Sequence, residues 1–187
     1  DTKLTGKTRI ESDLIGAREI PAEALYGVQT LRGIENFSIS KFRLSEYPLF
    51  IKGLAITKMA AAMANFELGL LTVEQKDAII AACGEILDGK HHDQFPVDMI
   101  QGGAGTTTNM NANEVIANRA LELMGHERGE YQYCSPNDHV NCSQSTNDAY
   151  PTAIHIGMYF KHLQLLPHLE ELIASFRKKG EEFSQII

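Results

Sequence analysis

Grouped lysine and arginine are scarce in the chain: the one run of them is Arg177-Lys178-Lys179. Its 17 basic residues are outnumbered by 24 acidic ones, a formal charge of -7 over 187 residues. Nucleic-acid affinity rests largely on grouped cations, so nucleic acid is not an expected partner. Cysteine is scarce as well. Cys83, Cys134 and Cys142 are odd in number and lack CxxC spacing, which fits unpaired thiols in a reducing cytosol better than a disulfide-stapled secreted domain. No apolar run reads as long enough to cross a bilayer, and residues 1–12 carry no signal-peptide pattern. The expected location is cytoplasmic, with no membrane partner. Several catalytic signatures are also missing. The GGAG stretch at 102–105 lacks the Lys-Ser/Thr ending of a phosphate loop and the GxGxxG spacing of a dinucleotide site, and there is no GxSxG elbow. There is no internal repeat and no low-complexity tract.

What remains is an ordinary globular composition, 43% hydrophobic and 22% charged, with room for one or two cores. The first forty-odd residues read as irregular, broken by Gly6, Gly16, Pro21, Gly27 and Gly33, with short strands near 9–11 and 18–20. From Pro48 the pattern turns helical. Ile51, Leu54, Ala55, Met59, Ala62, Met63 and Phe66 recur at three- and four-residue steps, and Gly69 offers a stop. Thr72-Val73-Glu74-Gln75 reads as a capping box opening a second helix through Ile79, Ile80, Cys83 and Leu87. A third is expected to begin near Asn111 to Glu114 and end at Gly125.

After Asp148 and Pro151 a helical period carries Ile154, Met158, Leu165, Leu169, Ile173 and Phe176 almost to the last residue, with Pro167 a candidate kink. About 37 residues at ~1.5 Å each give a rod near 55 Å, longer than a domain of this size needs for itself. The rod is expected to pack on something else. The chain closes on Phe183 to Ile187 without Gly, Asn or Pro, so it is expected to be the N-terminal piece of a longer protein. The fold class read from these patterns is mainly α: an N-terminal helical domain with short β segments over 1–147, then the start of a long central-bundle helix over 148–187.

Two polar stretches carry the chemistry. Gln101 to Glu114 and Pro136 to Asp148 are rich in Ser, Thr, Asn and Gly, and each feeds a helix. Hydroxyls, amides and helix N-termini together suit a small carboxylate. On composition alone, a turn before a capped helix is the favoured reading of the Gly-rich stretch. Glu114 could serve as a base, but three residues after Asn111 it reads more simply as a cap for its own helix. His91-His92-Asp93 reads as a solvated loop and not a metal site. His139 suits titration near neutral pH or a structural hydrogen bond, and His155 and His162 read as surface or interface residues.

Gly105 to Glu114, Pro136 to Asn141 and Gln144 to Asp148 resemble, in order and spacing, the first two substrate-loop motifs of the aspartase/fumarase superfamily. Arg18 to Pro21, Tyr26 to Thr30 and Asp93 to Asp98 extend the resemblance over nearly the whole chain. Thr146, Ser135 and the 125–133 stretch are most similar to the aspartase branch; fumarases usually carry a second Ser and a His at the first two places. The resemblance implies reversible deamination of L-aspartate to fumarate and ammonia. Thr106, Ser145 and Thr146 would hold the carboxylate distal to the amine, and Asn147 would contact the amino group. The family's base, a loop Ser in a Gly-Ser-Ser motif, and its Thr-His motif have no counterpart here, so no catalytic residue is expected in this chain and both are expected beyond Ile187.

The chain departs from the family pattern at Cys142, where relatives commonly carry a basic residue, and at Thr107 and Thr108. The family fold is helical and tetrameric, with active sites shared between subunits. No cofactor or metal ligand is implied, although a divalent cation could activate the full protein. The expected ligands are the dicarboxylates L-aspartate and fumarate. Fumarate hydratase is the alternative activity, and an inactive helical domain is the alternative for the chain by itself.

Overall fold

The computed structural model describes residues 5–186. The start of the stretch read for a leader, residues 1–4, and the terminal Ile187 lie outside them. Thr8–Asp13 (β1) and Gly16–Pro21 (β2) pair antiparallel from Thr8 opposite Pro21 to Asp13 opposite Gly16. Both expected strands are there, each longer than its sequence signal. The turn between them is held from outside: Asp13 accepts two bonds from the Arg32 guanidinium, which holds its carboxyl down at about 2.

Arg32 lies on a helix that the sequence did not announce. Val28–Asn36 (α1) contains Gly33, follows Gly27 and has no side-chain cap of its own. Its start is capped from a distance. The Glu114 carboxylate accepts from the N–H groups of Gly27, Gln29 and Thr30 at 2.8–3.0 Å, and Glu11 accepts from Val28. Local propensity opposed this helix, and two carboxylates from elsewhere in the fold satisfy the amides that a helix start leaves free.

Pro48–Glu67 (α2) and Val73–Leu87 (α3) fall where expected, and Thr72 and Gln75 form the anticipated capping box. Contrary to the expectation from apolar runs, α2 is long and apolar enough by composition to span a bilayer. Its packing is that of a core helix. It lies against α3 and α5 and carries Lys58 and Asn65 fully covered on its inner face, which lipid would not tolerate without partners.

Thr106–Leu123 (α4) begins at least five residues before the expected Asn111. Asn109, Asn111, Asn113, Glu114 and Asn118 are all buried on it, and such polar residues masked the apolar period. Its start is also capped at a distance: Gln101 accepts from the Thr108 N–H at 2.8 Å and donates to the Thr108 hydroxyl at 2.7 Å. His91 and His92 are not a solvated loop. They lead into a short 3-10 turn, with His91 on Glu85 and His92 on the Ile86 carbonyl.

Thr146–Glu182 (α5) is a continuous 37-residue helix through both Pro151 and Pro167. It starts two residues before Asp148, because Ser145 and Asp148 close a capping box over Asn147. α2 and α5 meet through small residues. A methyl group on Gly53 would overlap the Ala153 carbonyl, and one on Gly157 would press 3.1 Å from Phe50 Cα. The core gathers α2, α3, α4 and the first two turns of α5, down to Ala153. From Lys161 onward every described residue of α5 is exposed, including Leu163, Leu169, Ile173 and Phe176. The rod projects from the core that starts it.

Candidate functional site

The first turns of α4 and α5 lie side by side. Gly105 caps α4 at φ +87°, with the Tyr150 ring of α5 packed on its Cα. Asn109, one turn into α4, donates to the hydroxyl of Thr146, the first residue of α5, at 3.3 Å. Two helix N-termini, each with partial positive charge, are thereby brought to one face. Thr106 opens α4 and is exposed; Thr146 is half-buried; Asn147 is exposed. The exposed Ser145 accepts from the Asn147 N–H at 3.2 Å. Three of the four residues read as substrate-binding are therefore open to solvent, and the fourth, Thr146, is half-buried and bonded to the Asn109 amide. A hydroxyl already serving as a cap keeps a second lone pair and its proton for a ligand.

Behind this face is a polar network that the sequence did not reveal. Lys58 of α2 is 0% exposed and donates to Asn141 Oδ1 at 3.0 Å and Gln144 Oε1 at 2.9 Å. The same Asn141 oxygen accepts from Asn109 at 3.0 Å and Asn113 at 3.2 Å, both on α4. Asn65 of α2 reaches the Cys142 carbonyl at 2.8 Å. Burial depresses the Lys58 pKa to about 7, with Cys83 and Asp148 opposing the shift. A signal was available: Lys58 sits at helical spacing among Ile51, Leu54, Ala55 and Ala62, on the face that had to be inside.

Glu114 is neither a base in reach of that face nor a cap for its own helix. It is buried and caps α1, as described above. Burial pushes its pKa upward, while Thr30 and the N–H groups of Gln29 and Gly27 oppose the shift.

His139 has a structural place. It lies in the π-helical turn Pro136–Val140, and its Nδ1 accepts from the Ser135 N–H at 2.7 Å. Burial holds its pKa below the ordinary histidine value, with Asp138 opposing. A doubly protonated ring could not accept that bond. Its stabilising contribution is complete above pH ~6.5, the unperturbed histidine value, and is lost as pH falls through the lowered folded value. Thermal unfolding of wild type and His139→Gln is expected to converge from pH 7.5 towards pH 5. A gap independent of pH would show that the ring contributes packing alone.

A larger cleft of about 840 Å³ is lined by Arg9, Arg119 and Arg128. These cations are already engaged by Glu11, Glu85 and Glu122 at 2.6–2.8 Å, so the cleft offers no free charge to an anion. Among the described residues no group of three or more His, Cys, Asp or Glu side chains is placed to hold a metal ion.

The model of a family described as Lyase matches residues 16–187. The chain belongs to the aspartase/fumarase superfamily of lyases. Within the superfamily, it is 58% identical over 179 residues to an aspartate ammonia-lyase of Pseudomonas canavaninivorans, covering 96% of this chain and 38% of that one. It is 55% identical over 185 residues to the aspartate ammonia-lyase of Escherichia coli K12, covering 98% and 39%. The chain thus spans less than two-fifths of the length of these curated relatives.

Among solved structures of the superfamily, a fumarate lyase:delta crystallin from Brucella melitensis bound to cobalt superposes with a TM-score of 0.91. It is 52% identical, over 94% of this chain and 38% of that one. A class II fumarase from Schistosoma mansoni superposes at 0.89 with 37% identity, over 96% and 38%.

Proposed function

We propose that this chain forms one wall of the dicarboxylate site of an aspartate ammonia-lyase, and that the full-length protein interconverts L-aspartate with fumarate and ammonia. What supports the reading is the pairing of the α4 and α5 starts, through the Asn109 to Thr146 bond and the Tyr150 ring against Gly105, in a chain 55–58% identical to aspartate ammonia-lyases. In this reading Thr106, Ser145 and Thr146 hold the carboxylate distal to the amine and Asn147 meets the amino group. Their hydrogen bonds orient the substrate and strengthen as negative charge accumulates on that carboxylate when the carbon-bound proton leaves. The group that takes the proton is a loop Ser outside these 187 residues. The chain by itself is then inactive.

We place the full-length protein in the cytoplasm as a homotetramer, with the exposed apolar side of α5 buried in a central bundle and 148–187 as the start of that bundle domain. No organic cofactor enters this chemistry. Chelation followed by return of a divalent cation tests whether such an ion activates the protein.

The decisive assay is the ultraviolet absorbance of the new carbon–carbon double bond. Full-length protein is expected to produce it from L-aspartate with release of ammonia. A signal from L-malate alone would make the protein a fumarate hydratase. Thr146→Val is expected to lower kcat/KM about tenfold while preserving helical circular dichroism, the loss of one hydrogen bond to a charged group. Loss of the helical signal would assign Thr146 a structural role.

A further inference from the structure

Lys58 is covered on every side and has no ion-pair partner among the described residues; its two hydrogen-bond acceptors are neutral amide oxygens. A buried ammonium without a carboxylate is costly, so the fold pays for it only where the charge or its three donors are needed. An ammonium can only donate. It therefore obliges Asn141 and Gln144 to present their oxygens to it and their NH₂ groups elsewhere. Asn141 Nδ2 turns to the Gln144 carbonyl at 3.1 Å, and Gln144 Nε2 reaches the carbonyls of Val140 and Cys142 at 2.9 and 3.1 Å. The residues so fixed immediately precede Ser145 and Thr146. Across the same Asn141 oxygen, Asn109 and Asn113 tie this turn to α4, and Asn109 is also the donor to Thr146.

We infer that Lys58 is a positioning residue for the dicarboxylate site: it orients the turn that carries Ser145 and Thr146 and supplies a positive charge behind them. The inference rests on the dicarboxylate reading proposed above. Lys58 itself touches no substrate in this arrangement. The ionisable groups opposing its depressed pKa are Cys83 on α3, whose thiol burial pushes up to about 12, and Asp148 on α5. α4 and the 140–144 turn meet the network with amides. Between pH 6.5 and 8.5 the Cys83 thiol, pushed up by burial, stays protonated, while Lys58, lowered to about 7, changes charge.

The test uses full-length protein and succinate, a dicarboxylate with no amine to lose. Wild type is expected to bind succinate several-fold more weakly at pH 8.5 than at 6.5. Lys58→Met, of similar length but without charge or donors, is expected to bind at least tenfold more weakly at pH 6.5 and to lose most of that pH slope. An Lys58→Met protein with wild-type affinity, or with the same slope, overturns the inference even if its melting temperature falls.

Should Lys58→Met fail to fold, calorimetry of wild type in two buffers of different ionisation enthalpy decides. Succinate binding at pH 7.5 is expected to take up a fraction of a proton, and zero uptake overturns the inference. A wild type that binds no succinate at all overturns the dicarboxylate reading and this inference together. Binding that is unaltered in Lys58→Met removes this inference alone.

Discussion

Gly105→Ala is expected to lower kcat/KM of the full-length protein at least a hundredfold. Gly105 caps α4 with φ at +87°, where a side chain costs about 1–2 kcal/mol. The added methyl would also fall within the Tyr150 ring, which packs on the Gly105 Cα. Relief requires the first turns of α4 and α5 to separate, and that separation breaks the Asn109 to Thr146 bond and parts Thr106 from Thr146. A combined cost near 3 kcal/mol, at about 1.4 kcal/mol per factor of ten, gives the hundredfold loss. Adding Tyr150→Ala should recover part of it, because the overlap is removed and the backbone strain is not. An alanine variant with wild-type kcat/KM would show that the site does not depend on how closely the two helix starts approach.

Glu114→Ala is expected to be the most destabilising single change in the region, by about 4 kcal/mol. It strips the acceptor from three N–H groups at the start of α1, and each buried donor left unpaired costs about 1–3 kcal/mol, part of it recovered by water entering the gap. Glu114→Gln keeps one acceptor oxygen and should lose about half as much. Gly27 closes around the same carboxylate: a methyl group there would stand 2.8 Å from Glu114 Cδ and 2.8 Å from the Tyr131 hydroxyl. Hydrogen exchange is the direct measurement. Amides of α1 should exchange orders of magnitude faster in Glu114→Ala while α2 and α3 change less, and unchanged protection in α1 would refute the remote cap.

The two predictions share a physical theme. Neither α1 nor α4 has a side-chain cap at its own N-cap residue. One is closed by a carboxylate 84–87 residues away in sequence, the other by Gln101 from the preceding loop. Several segments that gave the family resemblance do this kind of structural work. Gln94, within 93–98, accepts from the Leu25 N–H, and Asp98 accepts from Ile39, Ser40 and Ile100.

Local sequence by itself determined the parts whose signals are local. The apolar period of α2, the Thr72 and Gln75 capping box and the two short strand segments near 9–11 and 18–20 all stand where their own residues place them, because backbone propensity, side-chain caps and burial patterns there agree. The two polar loop motifs were likewise legible as a resemblance, and with them the superfamily. Tertiary structure decided what no local pattern could carry. It made a helix of Val28–Asn36 through a carboxylate from α4, started α4 at Thr106 despite a run of amides, and turned Glu114 from a candidate base into a cap for another helix. It also buried Lys58 behind Ser145 and Thr146. All of these except the start of α4, capped by Gln101, depend on groups remote in the chain, and a polar residue's role is set by the partner that satisfies it once water has been removed.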